Sequence, residues 1–386
     1  MKAKRIKNLP KYHFAEINEI IKQKMESGQE VINLGIGDPD IPTPDYIIQS
    51  LQEEAKNPMN HKYPPYKGIK ELREAITNWF EKRFGVTLNP EKEILPLIGS
   101  KEGLAHISWA LIDPGDMALI ANPCYPAHKT GVMLAGGSVY DLPLLEKNDF
   151  LVDFNNIQPE AAKKSKMMFI CYPNNPTSAI ADEDYFKKAV EYAKHYELII
   201  CHDNAYSEIS YGEYKPISIL EIDRKKELSI EFHSLSKTFS MAGWRIGFVV
   251  GNSNVIDSLY TLKTNIDSGI PGAIQRAAVV ALNGTDEFTR NACKVYEKRI
   301  DMIIDILEEC EIKVKKPKAT LYIWAKVPES YSSDSFAMEL LDKMGVFVTP
   351  GTAFGKYGEG YIRISVTQPD DLIKKASIKL RKFLKE

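Results

Sequence analysis

Cysteine is scarce in this 386-residue chain, and the few cysteines show no paired spacing. Disulfide frameworks, zinc sites and dithiol redox motifs commonly place cysteines close together, often as C-x-x-C pairs. No such pair occurs among the five cysteines, which are Cys124, Cys171, Cys201, Cys293 and Cys310. We therefore expect reduced thiols and a reducing compartment, with the cytoplasm as the predicted location.

The sequence also lacks a charge excess of one sign, long apolar runs and internal repeats. Its 50 basic and 52 acidic residues nearly balance, which argues against a nucleic-acid footprint and against an acidic tail. No apolar run reaches membrane-spanning length, and the lysine-rich residues 1–11 lack the apolar core of a secretory signal. The expected partners are therefore small molecules or copies of the chain itself.

Helix-like segments alternate with short apolar, β-rich runs along most of the chain. The predicted helices include Glu16–Ser27, Lys70–Phe84, Glu102–Ala110 and Asp286–Cys310. The predicted strands are Val31–Leu34, Met117–Ala121, Met167–Cys171, Leu198–Cys201, Ser229–His233, Ile246–Val250, Thr320–Ala325 and Gly360–Ser365. This alternation predicts an α/β fold with a large doubly wound, mostly parallel sheet.

The pattern changes after about Asn283, where a long amphipathic helix precedes two strands and a lysine-rich terminal helix. We expect a large domain over residues 46–282. A smaller α+β domain is expected from residues 1–45 together with 283–386. Functional groups should lie at the carboxyl ends of the parallel strands, in a cleft between the two domains.

One lysine stands out because of its neighbours. Lys237 lies in Ser234-Leu-Ser-Lys-Thr-Phe-Ser after a predicted strand, and Arg245 follows eight residues later. A lysine taken alone is nearly always a solvated surface residue. A nearby positive charge at a desolvated strand end instead favours a deprotonated amine that attacks carbonyl groups. Hydroxyls and a guanidinium group could also hold a phosphate.

A carboxylate follows another predicted strand, in Cys201-His-Asp203-Asn-Ala-Tyr206. A buried aspartate needs a cation or strong donors, and it could hold a protonated ring nitrogen. The alternative is a turn or helix-capping residue. The other histidines show no ligand spacing, so we expect no metal site.

Three weaker elements complete the set. Asn174-Asn175-Pro-Thr follows a strand and could be a simple turn. Gly99-Ser100-Lys101 opens a predicted helix whose free N–H groups could hold an anion. Arg363 alternates with apolar residues in a predicted strand, where it is either an edge-strand charge or a clamp for a carboxylate.

Together these elements resemble the fold-type I pyridoxal 5'-phosphate enzymes, specifically the class I/II aminotransferases, over nearly the whole chain. The motif Ser-x-Ser-Lys-x-x-x-x-x-Gly-x-Arg, present at Ser234–Arg245, is highly specific. Within that superfamily, Asn33-Leu-Gly-Ile-Gly-Asp-Pro-Asp40 and Leu97-Ile-Gly-Ser-Lys-Glu-Gly103 are most similar to LL-diaminopimelate aminotransferases.

The resemblance implies roles for residues of this chain. Lys237 would carry pyridoxal 5'-phosphate as an imine and then move a proton at the substrate α-carbon. Asp203 would keep the pyridine nitrogen protonated. The other implied cofactor contacts are Tyr206 and Asn175 at the phenolic oxygen, Tyr125 against the ring, Ser100, Lys101, Ser234 and Arg245 at the phosphate, and Tyr63 from a neighbouring subunit.

The substrate side of the resemblance is less uniform. Arg363 would bind the α-carboxylate, aided by Asn175 and the backbone of Gly37, and a site shared through Tyr63 implies a homodimer. Ser178 replaces the glycine of the family's Asn-Pro-Thr-Gly turn, and Ile270-Pro-Gly272 also departs from the family. Lys67 stands where diaminopimelate aminotransferases often carry an acid. A lysine there would repel a second ammonium group and favour a carboxylate, unless it is a solvated loop residue.

The implied reaction is amino transfer between an L-amino acid and a 2-oxo acid, with glutamate and 2-oxoglutarate as one pair. LL-diaminopimelate, N-succinyl-diaminopimelate and aspartate stay open as the other substrate, and lysine biosynthesis is the expected pathway for the first two. A β-lyase or decarboxylase on the same scaffold also stays open. A non-enzymatic ligand sensor would need a lost lysine or an attached DNA-binding segment, and neither is present.

Overall fold

Twelve strands organise the computed structural model of the chain, which describes residues 2–7, 9 and 13–386, without the side chains of residues 13–16 and 18. Residues 1, 8 and 10–12 of the lysine-rich start, where no secretory signal was expected, lie outside the described residues. The strands are β1 (Ile32–Asn33), β2 (Ile94–Leu97), β3 (Met117–Asn122), β4 (Ser138–Pro143), β5 (Ser165–Ile170), β6 (Ile199–Asp203), β7 (Ser229–Ser234), β8 (Gly247–Gly251), β9 (Tyr322–Lys326), β10 (Val346–Phe347), β11 (Thr349–Pro350) and β12 (Tyr361–Ser365).

Helices connect nearly all of these strands. They are α1 (Lys4–Lys7), α2 (His13–Glu26), α3 (Asp45–Ala55), α4 (Lys70–Phe84), α5 (Ser100–Leu111), α6 (Pro126–Ala135), α7 (Pro159–Lys164), α8 (Glu183–Tyr196), α9 (Ile219–Ile222), α10 (Leu235–Thr238), α11 (Ser253–Thr264), α12 (Gly272–Asn283), α13 (Glu287–Glu309), α14 (Ser333–Met344) and α15 (Asp370–Lys385). The four helices named from the sequence are all present, with ends within three residues of the predicted ones.

The larger sheet has the strand order β2-β8-β7-β6-β5-β3-β4. Strands β3 to β7 pair in parallel, whereas β8 runs antiparallel to both β7 and β2. The prediction of a doubly wound, mostly parallel sheet is therefore confirmed. Alternate residues of a strand point to opposite faces of the sheet, so a continuous apolar run makes both faces apolar. Met168 and Ile170 of β5 join one core cluster, and Met167 and Phe169 join another.

The two edge strands of this sheet were not singled out from the sequence. In β2, proline interrupts the apolar run Ile-Leu-Pro-Leu, and proline is tolerated at a sheet edge because one side of the strand makes no ladder bonds. Most residues of β4 are half-buried or exposed. Weak apolar signals of this kind are expected where a strand has a neighbour on only one side.

A second unit is built around an antiparallel sheet with the order β11-β12-β9. Helices α13, α14 and α15 pack on it and bury a separate apolar cluster. The short strand β1 pairs in parallel with β10, so a segment near the start of the chain joins the late part of the chain. The grouping of residues 1–45 with 283–386, and its boundaries near residues 46 and 282, stay a prediction. Within the described residues, no helix is long and apolar enough to cross a membrane.

Candidate active site

The carboxyl ends of the parallel strands face the smaller sheet across a cavity of about 400 Å³. Parallel strands end at the same edge of a sheet, which is why residues far apart in sequence meet there. Eleven of the residues predicted from the sequence line this cavity: Gly37, Ser100, Lys101, Tyr125, Asn175, Asp203, Tyr206, Ser234, Lys237, Arg245 and Arg363.

Lys237 lies on the one-turn helix α10 that directly follows β7. Its side chain is half-buried, and Nζ donates a hydrogen bond to the carbonyl oxygen of Gly37. It forms no ion pair with a carboxylate in the part of the chain that the structure describes. A lysine amine that lines a cavity without a carboxylate partner is a candidate nucleophile.

Asp203 ends β6, and its carboxylate is buried. Oδ2 accepts a hydrogen bond from Nε2 of His128, 3.0 Å away. Oδ1 has no hydrogen-bond partner among the described residues. Buried carboxylate oxygens are normally paired, so this one marks a position where a donor from a ligand fits.

His128 is a site residue that the sequence reasoning missed. It lies in the first turn of α6, and its ring stacks on Phe169 at a centroid distance of 5.1 Å. Burial alone would lower the pKa of His128, but the hydrogen bond to Asp203 and the negative charge of that carboxylate raise it to about 9. The ring is therefore positive near neutral pH and lies against the Asp203 carboxylate. The available sequence signal was a histidine one helical turn after Tyr125, at a strand end.

At the proposed phosphate end of the cavity, glycine backbone lies close to Arg245 and to the start of α5. Helix α5 begins at Ser100, after Gly99 with a φ of 72°. A Cβ atom on Gly99 would lie 2.3 Å from a terminal nitrogen of Arg245, and one on Gly247 would lie 2.8 Å from the Ser100 amide nitrogen. Only glycine permits this packing, which brings a guanidinium group next to free N–H groups at a helix start.

Arg363 is buried in β12, where sequence reasoning placed a possible carboxylate clamp. Its two terminal nitrogens donate to Oδ1 of Asn175 at 2.8 Å and to the carbonyl oxygen of Gly35 at 2.6 Å. The guanidinium carbon also lies 4.1 Å from the centroid of the Tyr322 ring and 4.6 Å from that of Phe354. These contacts fix the orientation of the guanidinium plane, which is what bidentate carboxylate binding requires.

Tyr322 is a second residue of the cavity that the sequence reasoning did not name as part of the site. Its hydroxyl lies 2.7 Å from that of Tyr206. Burial raises the pKa of Tyr206 well above its usual value, so this phenol stays protonated and can donate a hydrogen bond. A Cβ on Gly37 would lie 2.0 Å from the Tyr322 hydroxyl, so Gly37 is needed for close packing.

Two predicted residues lie outside the cavity. The side chain of Tyr63 is 88% exposed. The Lys67 amine donates to the carbonyl oxygen of Glu91 at 3.2 Å and lies 4.8 Å from the centroid of the Tyr260 ring. Their proposed roles would require a second subunit and stay predictions.

The comparison with protein families decides the identity. The model of the family "Aminotransferase class I and II" matches residues 29–378. The chain belongs to this family. It is therefore a transaminase, which exchanges an amino group between an amino acid and a 2-oxo acid.

Individual relatives show which aminotransferases this chain is similar to. An LL-diaminopimelate aminotransferase of Dehalococcoides mccartyi strain 195 is 52% identical over 381 residues, which cover 99% of this chain and 98% of the relative. Among solved structures, substrate-bound BacF from Bacillus subtilis superposes with a TM-score of 0.95 at 38% identity, covering 99% of this chain and 98% of BacF. A probable N-succinyldiaminopimelate aminotransferase from Thermus thermophilus gives a TM-score of 0.90 at 32% identity, covering 96% of this chain and 99% of that chain. The fold is thus that of fold-type I aminotransferases.

Proposed function

We propose that this transaminase uses pyridoxal 5'-phosphate and transfers an amino group from LL-diaminopimelate to 2-oxoglutarate. The observation that carries the chemistry is the buried Asp203 with one paired and one unpaired oxygen, in the same cavity as Lys237. A pyridine nitrogen bearing a proton is the donor that this unpaired oxygen fits. We also propose a cytoplasmic location, which is supported by five free cysteines.

The remaining cavity residues fit the same cofactor. Arg245, Lys101 and the N–H groups at the start of α5 suit a phosphate, and Tyr206 and Asn175 suit a phenolic oxygen. When bound, pyridoxal 5'-phosphate supplies a carbonyl group that takes up the amino group and a ring that stabilises negative charge at the substrate α-carbon.

Each of three cavity residues has its own role in the proposed reaction. Lys237 would hold the cofactor through Nζ and, once the substrate amine has displaced it, would take a proton from the substrate α-carbon with the same atom. Asp203, paired with His128, would hold a protonated ring nitrogen in place. Arg363 binds the α-carboxylate and so orients the α-carbon toward Lys237.

The choice of LL-diaminopimelate rests on the relatives. Chains named LL-diaminopimelate aminotransferase match at 44% to 52% identity over nearly the full length. Lys67, which suggested a carboxylate-bearing substrate, contributes nothing to the cavity of the single chain. N-succinyl-diaminopimelate and aspartate are the alternatives to test. With either diaminopimelate substrate, the enzyme would serve lysine biosynthesis.

The site is completed by a second copy of the chain in this proposal. Exposed apolar side chains cluster on the segment around Tyr63, which includes Met59 and Tyr66, and Ile266 is exposed near Gly269, whose neighbour is Pro64. Apolar exposure of this kind marks an interface between protein chains. A homodimer would bring Tyr63 to the phosphate end of the neighbouring cavity.

The cofactor is tested by absorbance and reduction of the purified protein. We expect a visible band that borohydride abolishes, with the cofactor then recovered on the peptide containing Lys237. Lys237→Ala should lack the band, whereas Lys166→Ala, an exposed lysine at the amino end of β5, should keep it. A wild-type protein that takes up no added pyridoxal 5'-phosphate would contradict the proposal.

The substrate is tested by glutamate formation from 2-oxoglutarate with each candidate amino donor. The highest kcat/KM is expected for LL-diaminopimelate, and a higher value for aspartate or N-succinyl-diaminopimelate would refute this choice. Release of pyruvate and ammonia without an acceptor would indicate a lyase instead.

Subunit sharing is tested by mixing two inactive variants. A dimer of one Lys237→Ala chain and one Tyr63→Ala chain holds one site with both defects and one intact site. We expect activity to return on mixing after mild dissociation and reassembly. No recovery, with mixed dimers present, would show that Tyr63 does not act across subunits.

A further inference from the structure

A second cavity of about 370 Å³ lies on the far side of the Asn174–Ser178 turn from the active-site cavity. One wall is the segment Lys313–Lys318, which follows α13 and leads into β9. Another wall comes from residues 146–150 after β4, and the turn after β5 closes the space between them. None of its lining residues takes part in the proposed amino transfer.

The two cavities share one face of the smaller sheet. On β9, Tyr322 lines the active-site cavity, whereas Trp324 and Lys326 line the second cavity. On β12, Arg363 lines the first and Tyr361 the second. Side chains two residues apart on a strand point the same way. The second cavity is therefore a neighbour of the carboxylate clamp and separate from it.

The second cavity is rich in positive charge. Its lining contains five lysines and two acidic residues. Glu146 pairs with Lys313, and Asp149 pairs with Lys315 at 3.0 Å. Lys316 pairs with Asp301, which lies outside the cavity.

Two lysines of the lining have no such pairing. Lys318 and Lys326 form no hydrogen bond or ion pair through their amines with any residue that the structure describes. Lys318 is exposed at the rim, and Lys326 is half-buried. The Glu146 carboxylate attracts Lys326 without forming an ion pair with it, and an added anion would supply the counter-charge that the five-lysine lining lacks.

Aromatic side chains line the same cavity as these lysines. The rings of Trp324 and Tyr361 stack at a centroid distance of 5.2 Å with an interplanar angle of 8°, and Phe150 meets Tyr361 edge-on at 5.6 Å. Trp324 is 6% exposed, and its indole N–H has no acceptor among the described residues. Buried indole N–H groups usually have a partner, so an acceptor on a ligand would complete the site.

We propose that this second cavity is a binding site for a small ring-bearing phosphate, such as a nucleoside monophosphate. The phosphate binds Lys318 and Lys326, and the ring packs on the Trp324–Tyr361 wall. Charge-assisted hydrogen bonds provide the attraction for the phosphate, and aromatic packing selects a planar ring. A volume of about 370 Å³ lies within the range of small-molecule sites.

The test uses the cofactor-loaded enzyme, in which the other phosphate position is filled, and AMP as the probe. Isothermal titration should give a dissociation constant of about 1 mM or tighter. The double variant Lys318→Gln/Lys326→Gln should weaken AMP binding at least about tenfold. The matched control Lys163→Gln/Lys166→Gln changes two exposed lysines in α7 and at the amino end of β5, outside the second cavity, and should bind AMP as the wild type does.

Further readouts separate the parts of the proposal. AMP should quench tryptophan fluorescence in the wild type but not in Trp324→Phe. The lysine variants should keep their transaminase kcat, which shows that they fold. Absence of AMP binding, or equal binding to the Lys318→Gln/Lys326→Gln variant, would overturn the site. Inorganic phosphate binding as tightly as AMP would overturn the role of the aromatic wall.

Discussion

Replacing Glu231 with glutamine should destabilise this protein strongly although Glu231 does not line the active-site cavity. Glu231 lies in β7 and is fully buried. It contacts His202, whose neighbour Asp203 lines the cavity. Adjacent residues of a strand point to opposite faces, so the cluster around Glu231 lies on the sheet face away from the cavity.

The Glu231 carboxylate accepts five hydrogen bonds. Oε1 accepts from His233 Nε2 at 2.7 Å and from the Asn204 amide at 3.1 Å. Oε2 accepts from His202 Nδ1 at 3.0 Å, from the Ser218 hydroxyl at 2.9 Å and from the Ile219 amide at 2.8 Å. This cluster ties the ends of β6 and β7 to the start of α9.

His202 is the charged partner in this cluster. Its Nδ1 faces the Glu231 carboxylate, and its Nε2 lies 2.9 Å from the carbonyl oxygen of Tyr172. Both acceptors lack a proton, so both ring nitrogens must donate, and the ring is positive. Glu231 and His202 therefore form a buried ion pair.

Two independent estimates give the size of the effect. Removing one charge of a buried pair costs about 3–5 kcal/mol, because the other charge stays buried without compensation. In its less costly orientation, glutamine places its NH₂ group at the position of Oε1 and deprives His233 and Asn204 of their acceptor. Two hydrogen bonds to a charged group are worth about 1.5–3 kcal/mol each. Both estimates agree on a loss of about 4 kcal/mol.

Urea unfolding followed by circular dichroism tests this value. With a slope of about 3 kcal/mol per molar, Glu231→Gln should lower the midpoint by about 1.3 M. The matched control Glu213→Gln, at an exposed glutamate, should leave the midpoint unchanged. A loss below about 1 kcal/mol in Glu231→Gln would refute the buried ion pair.

The pH dependence provides a second check on Glu231. Burial alone would raise the pKa of Glu231, but hydrogen bonds from His202 and His233 hold it well below its ordinary value of 4.5. A lowered pKa stabilises the folded protein above pH 4.5, and this contribution is lost as the pH falls below that value. The gap in stability between wild type and Glu231→Gln should therefore narrow as the pH falls below 4.5.

Three further predictions concern the active-site cavity. The pKa of His128 is about 9 in the folded protein and 6.5 in the unfolded chain, so protonation of this ring stabilises the folded protein. This stabilisation is fully present below pH 6.5 and is lost as the pH rises through 9. Between these pH values, the free energy of unfolding of the wild-type apoprotein should fall by about 3 kcal/mol relative to that of His128→Asn. If the two free energies depend on pH in the same way, the pairing of His128 with Asp203 is contradicted. Arg363→Lys should raise KM for both amino and oxo acid roughly tenfold to a hundredfold, because lysine cannot bind a carboxylate with two parallel hydrogen bonds; a KM within about twofold would exclude the clamp. Gly99→Ala should weaken pyridoxal 5'-phosphate binding, measured by absorbance titration, because its Cβ would meet Arg245 2.3 Å away; unchanged affinity would show that this contact relaxes freely.

Strand ends were the part of the site that sequence patterns located best. Asp203 and Lys237 follow apolar runs that form β6 and β7, and the cavity contains both. Such runs are local signals, since a buried parallel strand is apolar on both faces. The polar residue that follows it is then easy to recognise.

Residues that depend on distant partners were not located. His128 meets Asp203 75 positions away, and Tyr322 meets Tyr206 116 positions away. The local signal for His128 is its position one helical turn after Tyr125, and many ordinary helical histidines lie in such a position. The pairing arises only when α6 packs beside the end of β6.

The sequence by itself determined the fold class, the lysine and aspartate that we propose carry the chemistry, and the likeness to aminotransferases. These depend on periodicity and on motifs of a few residues, where neighbours along the chain are neighbours in space. Only the tertiary structure decided the charge on His128, the buried Glu231 cluster and the lysine-lined second cavity. Charge states and cavities depend on burial and on partners that β-strands and helices bring together from distant positions, and no local pattern encodes those distances.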